Sequence, residues 1–117
     1  MYALVRTDLG MSTGKIASQA GHAYLGAYLQ CKDLTSIAAY HSDFPASPGT
    51  KVCLQVSNLD QLLRAEHMAQ EAGLSFYRVV DSGCSNFYNG EPTITALGIG
   101  PATKSQIQHI TRRFKLM

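Results

Sequence analysis

From Gly14 to Cys31 the apolar residues Ile16, Ala20, Ala23, Tyr24, Ala27 and Cys31 recur at spacings of three and four, the period of a helix with one buried stripe. Most of the residues on and around that stripe are small, with Ala17, Gly21 and Gly26 beside Ala20, Ala23 and Ala27. A helix with so thin a face can lie close against a sheet. The run before it, Tyr2 to Arg6, is short and apolar and stops in the polar, glycine-containing stretch Thr7 to Gly14, as a strand does on entering a loop.

The same alternation continues along the chain. Leu34 to Tyr40 reads as a short helix, followed by turn signals at Asp43-Phe44-Pro45 and Ser47-Pro48-Gly49. Val52, Leu54 and Val56 alternate as a second strand. Ser57 with Asp60 resembles a capping box, opening a helix that Leu59, Leu62, Leu63, Ala69 and Ala72 make amphipathic and Gly73 ends. Phe76 to Val80 is a third strand and Thr93 to Ile99 a fourth, separated by the polar loop Asp81 to Pro92. Gly100-Pro101 breaks the fourth strand, and Lys104 to Arg113 forms a last helix that buries Ile107 and Ile110. The order βαβαββα predicts an α/β sandwich: a four-stranded mixed sheet flanked by helices, in one domain spanning residues 1–117, with at least one parallel pair of strands. Ligands of such sheets sit at the loops beyond strand ends, here Thr7–Gly14 and Asp81–Pro92.

Composition narrows the function classes. The chain has 117 residues, 45% hydrophobic and 15% charged, with a mean hydropathy of −0.05, values of a folded globular domain. No run approaches a membrane span, and the first residues lack the basic–apolar–small order of a secretion signal, so a cytoplasmic protein with no membrane partner is expected. Cys31, Cys53 and Cys84 are odd in number, widely spaced and without histidines at zinc-finger spacing, which argues against a metal or disulfide framework. The net charge is only +2, yet Lys104, Arg112, Arg113 and Lys115 fall in the last fourteen residues with no Asp or Glu among them. Such a segment either holds phosphates or is a solvated helix end.

Three constellations bear chemistry. Gly10-Met-Ser-Thr-Gly14-Lys15 follows a strand and opens a helix, but a Walker loop needs four residues between its glycines and Ser or Thr after the lysine, and here Ile16 follows. The helix N-terminus retains its attraction for anions. On the helix, Lys15, Gln19 and His22 lie at i, i+4 and i+7, within roughly 60° of one another, either facing a cleft or simply solvated. Asp81 ends an apolar strand, where its carboxylate can orient a water or form an Asx turn. Cys84 and Ser85 stand in no nucleophile-elbow or papain-like context, so covalent catalysis is not expected. His41, His67 and His109 have no partner pattern and read as surface groups.

With these residues in place, the chain resembles the type 2 peptidyl-tRNA hydrolase family from end to end. The family's first signature, R-x-D-L-x-M-x-x-G-K-x-A-x-Q-x-x-H-A, is met by Arg6, Asp8, Leu9, Met11, Gly14, Lys15, Ala17, Gln19, His22 and Ala23. The second is met by Asp81, Gly83, Gly90, Thr93, Gly100 and Pro101, and Phe114-Lys115-Leu116 resembles the usual C-terminus. Ser85 replaces the customary threonine and Asn86 the glutamine after it. Gly10, Thr13 and Cys84 stand where basic or long residues are common, and Glu91 adds a negative charge, which predicts a weaker hold on tRNA or a different acylated RNA.

The resemblance implies hydrolysis of the ester between a peptide, or an N-blocked amino acid, and the 3′ end of tRNA. It implies Lys15, Asp81, Thr93, Ser85 and His22 as catalytic residues and Arg6, Asp8, Gln19 and Asn86 as substrate-binding ones. Peptidyl-tRNA as partner, a homodimer, and no metal or organic cofactor follow from it as well. The competing expectation is a catalytically weak tRNA-binding or RNA-binding module on the same fold. Tyr24 and Tyr28 suit either a dimer interface or core packing.

Overall fold

The computed structural model describes residues 1–41, 47–82 and 90–117. Its strands are β1 (Tyr2–Arg6), β2 (Val52–Val56), β3 (Phe76–Asp81) and β4 (Thr93–Ile99), and its helices α1 (Thr13–Gln30), α2 (Leu34–Tyr40), α3 (Leu59–Glu71) and α4 (Lys104–Thr111). The strands form one mixed sheet in the order β2-β1-β4-β3. β1 and β2 are parallel, joined by the crossover through α1 and α2, while β4 is antiparallel to both β1 and β3. The C-terminal ends of β1, β2 and β3 therefore lie at one end of the sheet with the start of β4. The expected four-stranded mixed sheet flanked by helices is the one observed, and Leu34–Tyr40 is indeed a short helix.

Strand alternation sends side chains to two unequal cores. On one face Leu4, Leu54, Val56, Leu97 and Ile99 meet Leu62, Ala65 and Ala69 of α3 and Ile107 and Ile110 of α4. Each fully buried Leu or Ile there contributes about 1.5–3 kcal/mol. On the other face Ala3, Val5, Val79 and Ala96 meet Ala20 and Ala23 of α1. The second core is thin because its side chains are small, and α1 comes correspondingly close. A Cβ added to Gly98 of β4 would stand 1.9 Å from the carbonyl oxygen of Ala23.

The ends of the helices follow the side chains that can cap them. Ser12 accepts from the Lys15 amide at 3.2 Å and opens α1 at Thr13. The start of α3 lies one residue beyond the Ser57/Asp60 expectation. Asn58 caps the Gln61 amide at 2.9 Å, and the Gln61 side chain reaches back to the Ser57 amide at 2.8 Å, a span the shorter Asp60 does not bridge. Thr103 and Gln106 form a reciprocal capping box on α4.

One expectation changes, and the packing of two tyrosines is seen. His41 is half-buried, its Nε2 3.1 Å from the Tyr28 hydroxyl and its Nδ1 2.8 Å from the Ser47 carbonyl, so it belongs to a packed cluster with Tyr28 and Tyr40 and is not a surface group. Tyr24 is half-buried as well, and burial beside Cys53 pushes its hydroxyl up to about 12. Both tyrosines of α1 are engaged within the chain.

Candidate active site

The loop after β1 brings α1 back across the sheet so that its first turn meets the end of β3. There the ammonium of Lys15 pairs with Oδ2 of Asp81. Asp81 is buried, its side chain only 6% exposed, whereas that of Lys15 is 28% exposed. The carboxylate is thus almost removed from water and relies on the ammonium beside it, while the lysine keeps a side open to solvent. Apolar β3 delivers Asp81 to this dry edge, and the Ser12 cap holds the turn that carries Lys15.

A groove of about 530 Å³ opens from this pair along α1 and β3. Lys15, Gln19 and His22 all line it, as their shared helical face predicts, and Leu25 and Leu29 continue the wall. His22 is exposed. Gln19 departs from the solvated reading: it is 4% exposed, and its Oε1 accepts from the Thr95 hydroxyl at 2.5 Å. Thr95 escaped the sequence reading. Its signal was a hydroxyl inside an otherwise apolar strand, a group that must find a partner once buried. The pairing of β3 with β4 skips Thr95, because Val79 faces Ala96 while Val80 faces Ile94. This bulge turns Thr95 toward α1 alongside Ala96.

The other expected residues are distributed around the pair. Thr93 is the register partner of Asp81 on β4, and its hydroxyl donates to the Glu91 carbonyl at 3.2 Å. Arg6 and Asp8 form a two-point pair, Nε to Oδ1 at 3.0 Å and Nη2 to Oδ2 at 2.7 Å, while Nη1 donates to the Ile94 carbonyl at 2.9 Å. The hydrogen bond from Arg6 holds the Asp8 carboxyl below its ordinary value. Arg6 therefore ties the end of β1 to β4, and a phosphate would have to compete with Asp8 for it. Ser85, Asn86 and Cys84 lie outside the described residues. The basic C-terminal residues Arg112 and Arg113 follow α4, on the face of the sheet opposite α1.

A buried carboxylate beside a half-exposed ammonium, at the head of an open groove, is suited to hydrolysis. The carboxylate can take a proton from water, and the ammonium can stabilise an oxyanion. A second hollow, of about 410 Å³ around Met1, Thr50 and Gln106, lies at the opposite end of the sheet, away from this pair.

The family model described as peptidyl-tRNA hydrolase PTH2 matches residues 1–117. A peptidyl-tRNA hydrolase of Methanothermobacter thermautotrophicus is 39% identical over 114 residues, covering 97% of this chain and 96% of that protein. One from Sulfolobus acidocaldarius is 38% identical over 120 residues, covering 100% and 98%. A probable peptidyl-tRNA hydrolase 2 of Dictyostelium discoideum is 34% identical over 114 residues, covering 97% of this chain and 52% of that longer protein.

Proposed function

Because the chain belongs to the peptidyl-tRNA hydrolase PTH2 family, we propose that Lys15 and Asp81 are the acting pair of its hydrolysis of peptidyl-tRNA. The observation that carries this assignment is the ion pair at the head of the groove. Water adds to the ester carbonyl and its proton passes to the Asp81 carboxylate. The ammonium of Lys15 stabilises the oxyanion, and a fixed donor of this kind is worth about 2.7–4 kcal/mol. Collapse of the tetrahedral species breaks the acyl C–O bond, and the proton leaves with the 3′ ribose oxygen. The products are free tRNA and the peptide acid, which releases its proton to water as a carboxylate.

Thr93 and Ser85 are assigned to holding the water or the terminal ribose, His22 to the catalytic set, and Gln19 and Asn86 to binding substrate. Arg6 and Asp8 fix the neighbouring strand end, where the 3′ end of the RNA approaches. A role in binding alone leaves the buried Asp81 carboxylate beside Lys15 without a use. Among the described residues no helix is long and apolar enough to cross a membrane. A cytoplasmic homodimer completes the reading, supported by the family resemblance and checked by sedimentation and by cell fractionation.

The test is release of free tRNA from an N-acetyl-aminoacyl-tRNA by the wild type, Lys15→Ala and Asp81→Ala, each first shown to be folded. Loss of turnover in both variants supports the assignment. Salt-sensitive tRNA binding without wild-type turnover would make the chain a binding module instead.

A further inference from the structure

Among the described residues seven large apolar side chains are exposed, and four of them, Leu25, Leu29, Tyr77 and Val80, line the groove that begins at Lys15 and Asp81. Leu25 is 58% and Leu29 71% exposed, unusual values for two leucines one turn apart on the same helix. Past Lys15, Asp81 and His22, the only titratable side chain in the described wall of the groove is the phenol of Tyr77. Beyond its head the described wall carries no cation for the phosphates of RNA. It suits the other half of the substrate, the peptide.

The direction of the groove is fixed by two contacts. Lys15 in the first turn of α1 meets Asp81 at the end of β3, and Gly26 further along α1 lies against the ring of Tyr77 near the start of β3. α1 and β3 therefore run antiparallel, with the ester-cleaving pair at one end of the groove. From Lys15 to Gly26 the helix rises about 16 Å, the length of about five residues of extended chain.

One wall of this groove is β3, an edge strand of the sheet. The outer edge of β2 is covered by the chain terminus: the Gln55 amide donates to Lys115 at 2.8 Å and the Met117 amide to Cys53 at 2.9 Å. β3 is the opposite edge of the sheet, and among the described residues no segment pairs with its outer side. The Gly100 amide donates to Ser75, so the alternation of an antiparallel ladder turns the main-chain groups of Phe76 and Arg78 outward. An edge of this kind recognises an extended chain through its main chain, which tolerates any sequence.

We propose that the α1–β3 groove is the binding site of the peptide moiety, which lies extended along the edge of β3 with its C-terminal ester at Lys15 and Asp81. Because that ester sits at the C-terminal end of β3, the peptide runs parallel to β3 and its earlier residues pass over Leu25 and Leu29. This site rests on the reading of Lys15 and Asp81 as the hydrolytic pair.

The test uses the full chain and a substrate series from N-acetyl-aminoacyl-tRNA to N-acetyl-hexapeptidyl-tRNA, with kcat/KM for tRNA release as the readout. For the wild type it should rise on the order of tenfold with length and level off after about five residues. In the double variant L25Q/L29Q, checked for folding by circular dichroism, the rise should fall below twofold, while L34Q on α2 should keep it. N-methylation of the peptide nitrogens should also flatten the rise. A wild type that releases tRNA with no dependence on length overturns the site and leaves the hydrolase reading standing. One that releases no tRNA from any substrate overturns both. An L25Q/L29Q protein that keeps the rise but sediments as a smaller species makes this face a contact between copies of the chain, and overturns the site as well.

Discussion

The ammonium of Lys15 and the carboxylate of Asp81, 66 positions apart in sequence, form an ion pair of which only the lysine is open to solvent. Removing the lysine leaves a buried carboxylate uncompensated, which is costlier than losing the attraction itself. Lys15→Met should therefore lower turnover by about 10²–10³-fold and also destabilise the protein. Adding Asp81→Asn should restore part of the stability and none of the activity. Urea unfolding of the two variants beside their kcat values separates these effects, and a double variant less stable than Lys15→Met would refute the account.

Gln19 and Thr95 should behave as a neutral counterpart of that pair. Thr95→Val removes the donor and leaves the Gln19 oxygen buried without it, at a cost of about 1–3 kcal/mol. Pairing it with Gln19→Leu removes the orphaned oxygen too, so the double variant should be more stable than Thr95→Val alone. A double-mutant cycle in urea measures the coupling, and strictly additive effects would contradict it.

This pair also shows where a sequence stops being legible. The stripe Ile16–Ala20–Ala23–Ala27 identifies the buried face of α1, and the 3.6-residue period carries Lys15, Gln19 and His22 to one side of it. Periodicity cannot show that Gln19 turns inward, because that depends on a bulge in β4, some 76 residues away, that swings Thr95 under the helix. Asp81 is visible as a polar end to an apolar strand, yet its ion pair depends on the sheet order β2-β1-β4-β3, which hydropathy does not encode. The Arg6–Asp8 pair is local, but its anchor on the Ile94 carbonyl is again a product of strand order. Leu25 and Leu29 are exposed because they lie off the small-residue stripe by which α1 packs on the sheet.

The close approach of α1 to β4 makes Gly98 and Gly26 unequal. At Gly98 a methyl group would strike the Ala23 backbone at 1.9 Å, so the strand or the helix must shift to admit it. At Gly26 it would strike the ring of Tyr77, a side chain 38% exposed that can swing toward solvent. Gly98→Ala should cost about 3 kcal/mol or more and reduce activity. Gly26→Ala should cost clearly less. Thermal unfolding of the two variants checks the order.

The Arg6 hydrogen bond holds Asp8 below its usual carboxylate range, with a sign that can be tested. A folded-state value below the unfolded one, about 3.9, contributes stability that is complete above the unfolded value. That contribution is lost as pH falls through the folded one. The advantage of the wild type over Asp8→Asn should be constant from about pH 5 to pH 7 and shrink in more acid solution. Urea unfolding from pH 3 to 7 measures it, and an advantage that grows on acidification would reverse the assignment.

The basic C-terminal segment yields the last prediction. Affinity carried by phosphate contacts falls with salt, with a slope of about −0.7 to −0.9 in log–log form for each phosphate neutralised. Arg112 and Arg113 follow α4, which packs on the face of the sheet opposite α1 and its groove. An RNA whose 3′ end enters at Lys15 need not reach them. The double variant Arg112→Gln/Arg113→Gln should keep the wild-type slope of tRNA affinity against salt. Removing two phosphate contacts would instead lower the slope by about 1.4 to 1.8, and that result would place the RNA across both faces of the sheet. Titrating deacylated tRNA at several ionic strengths distinguishes the two paths without depending on catalysis.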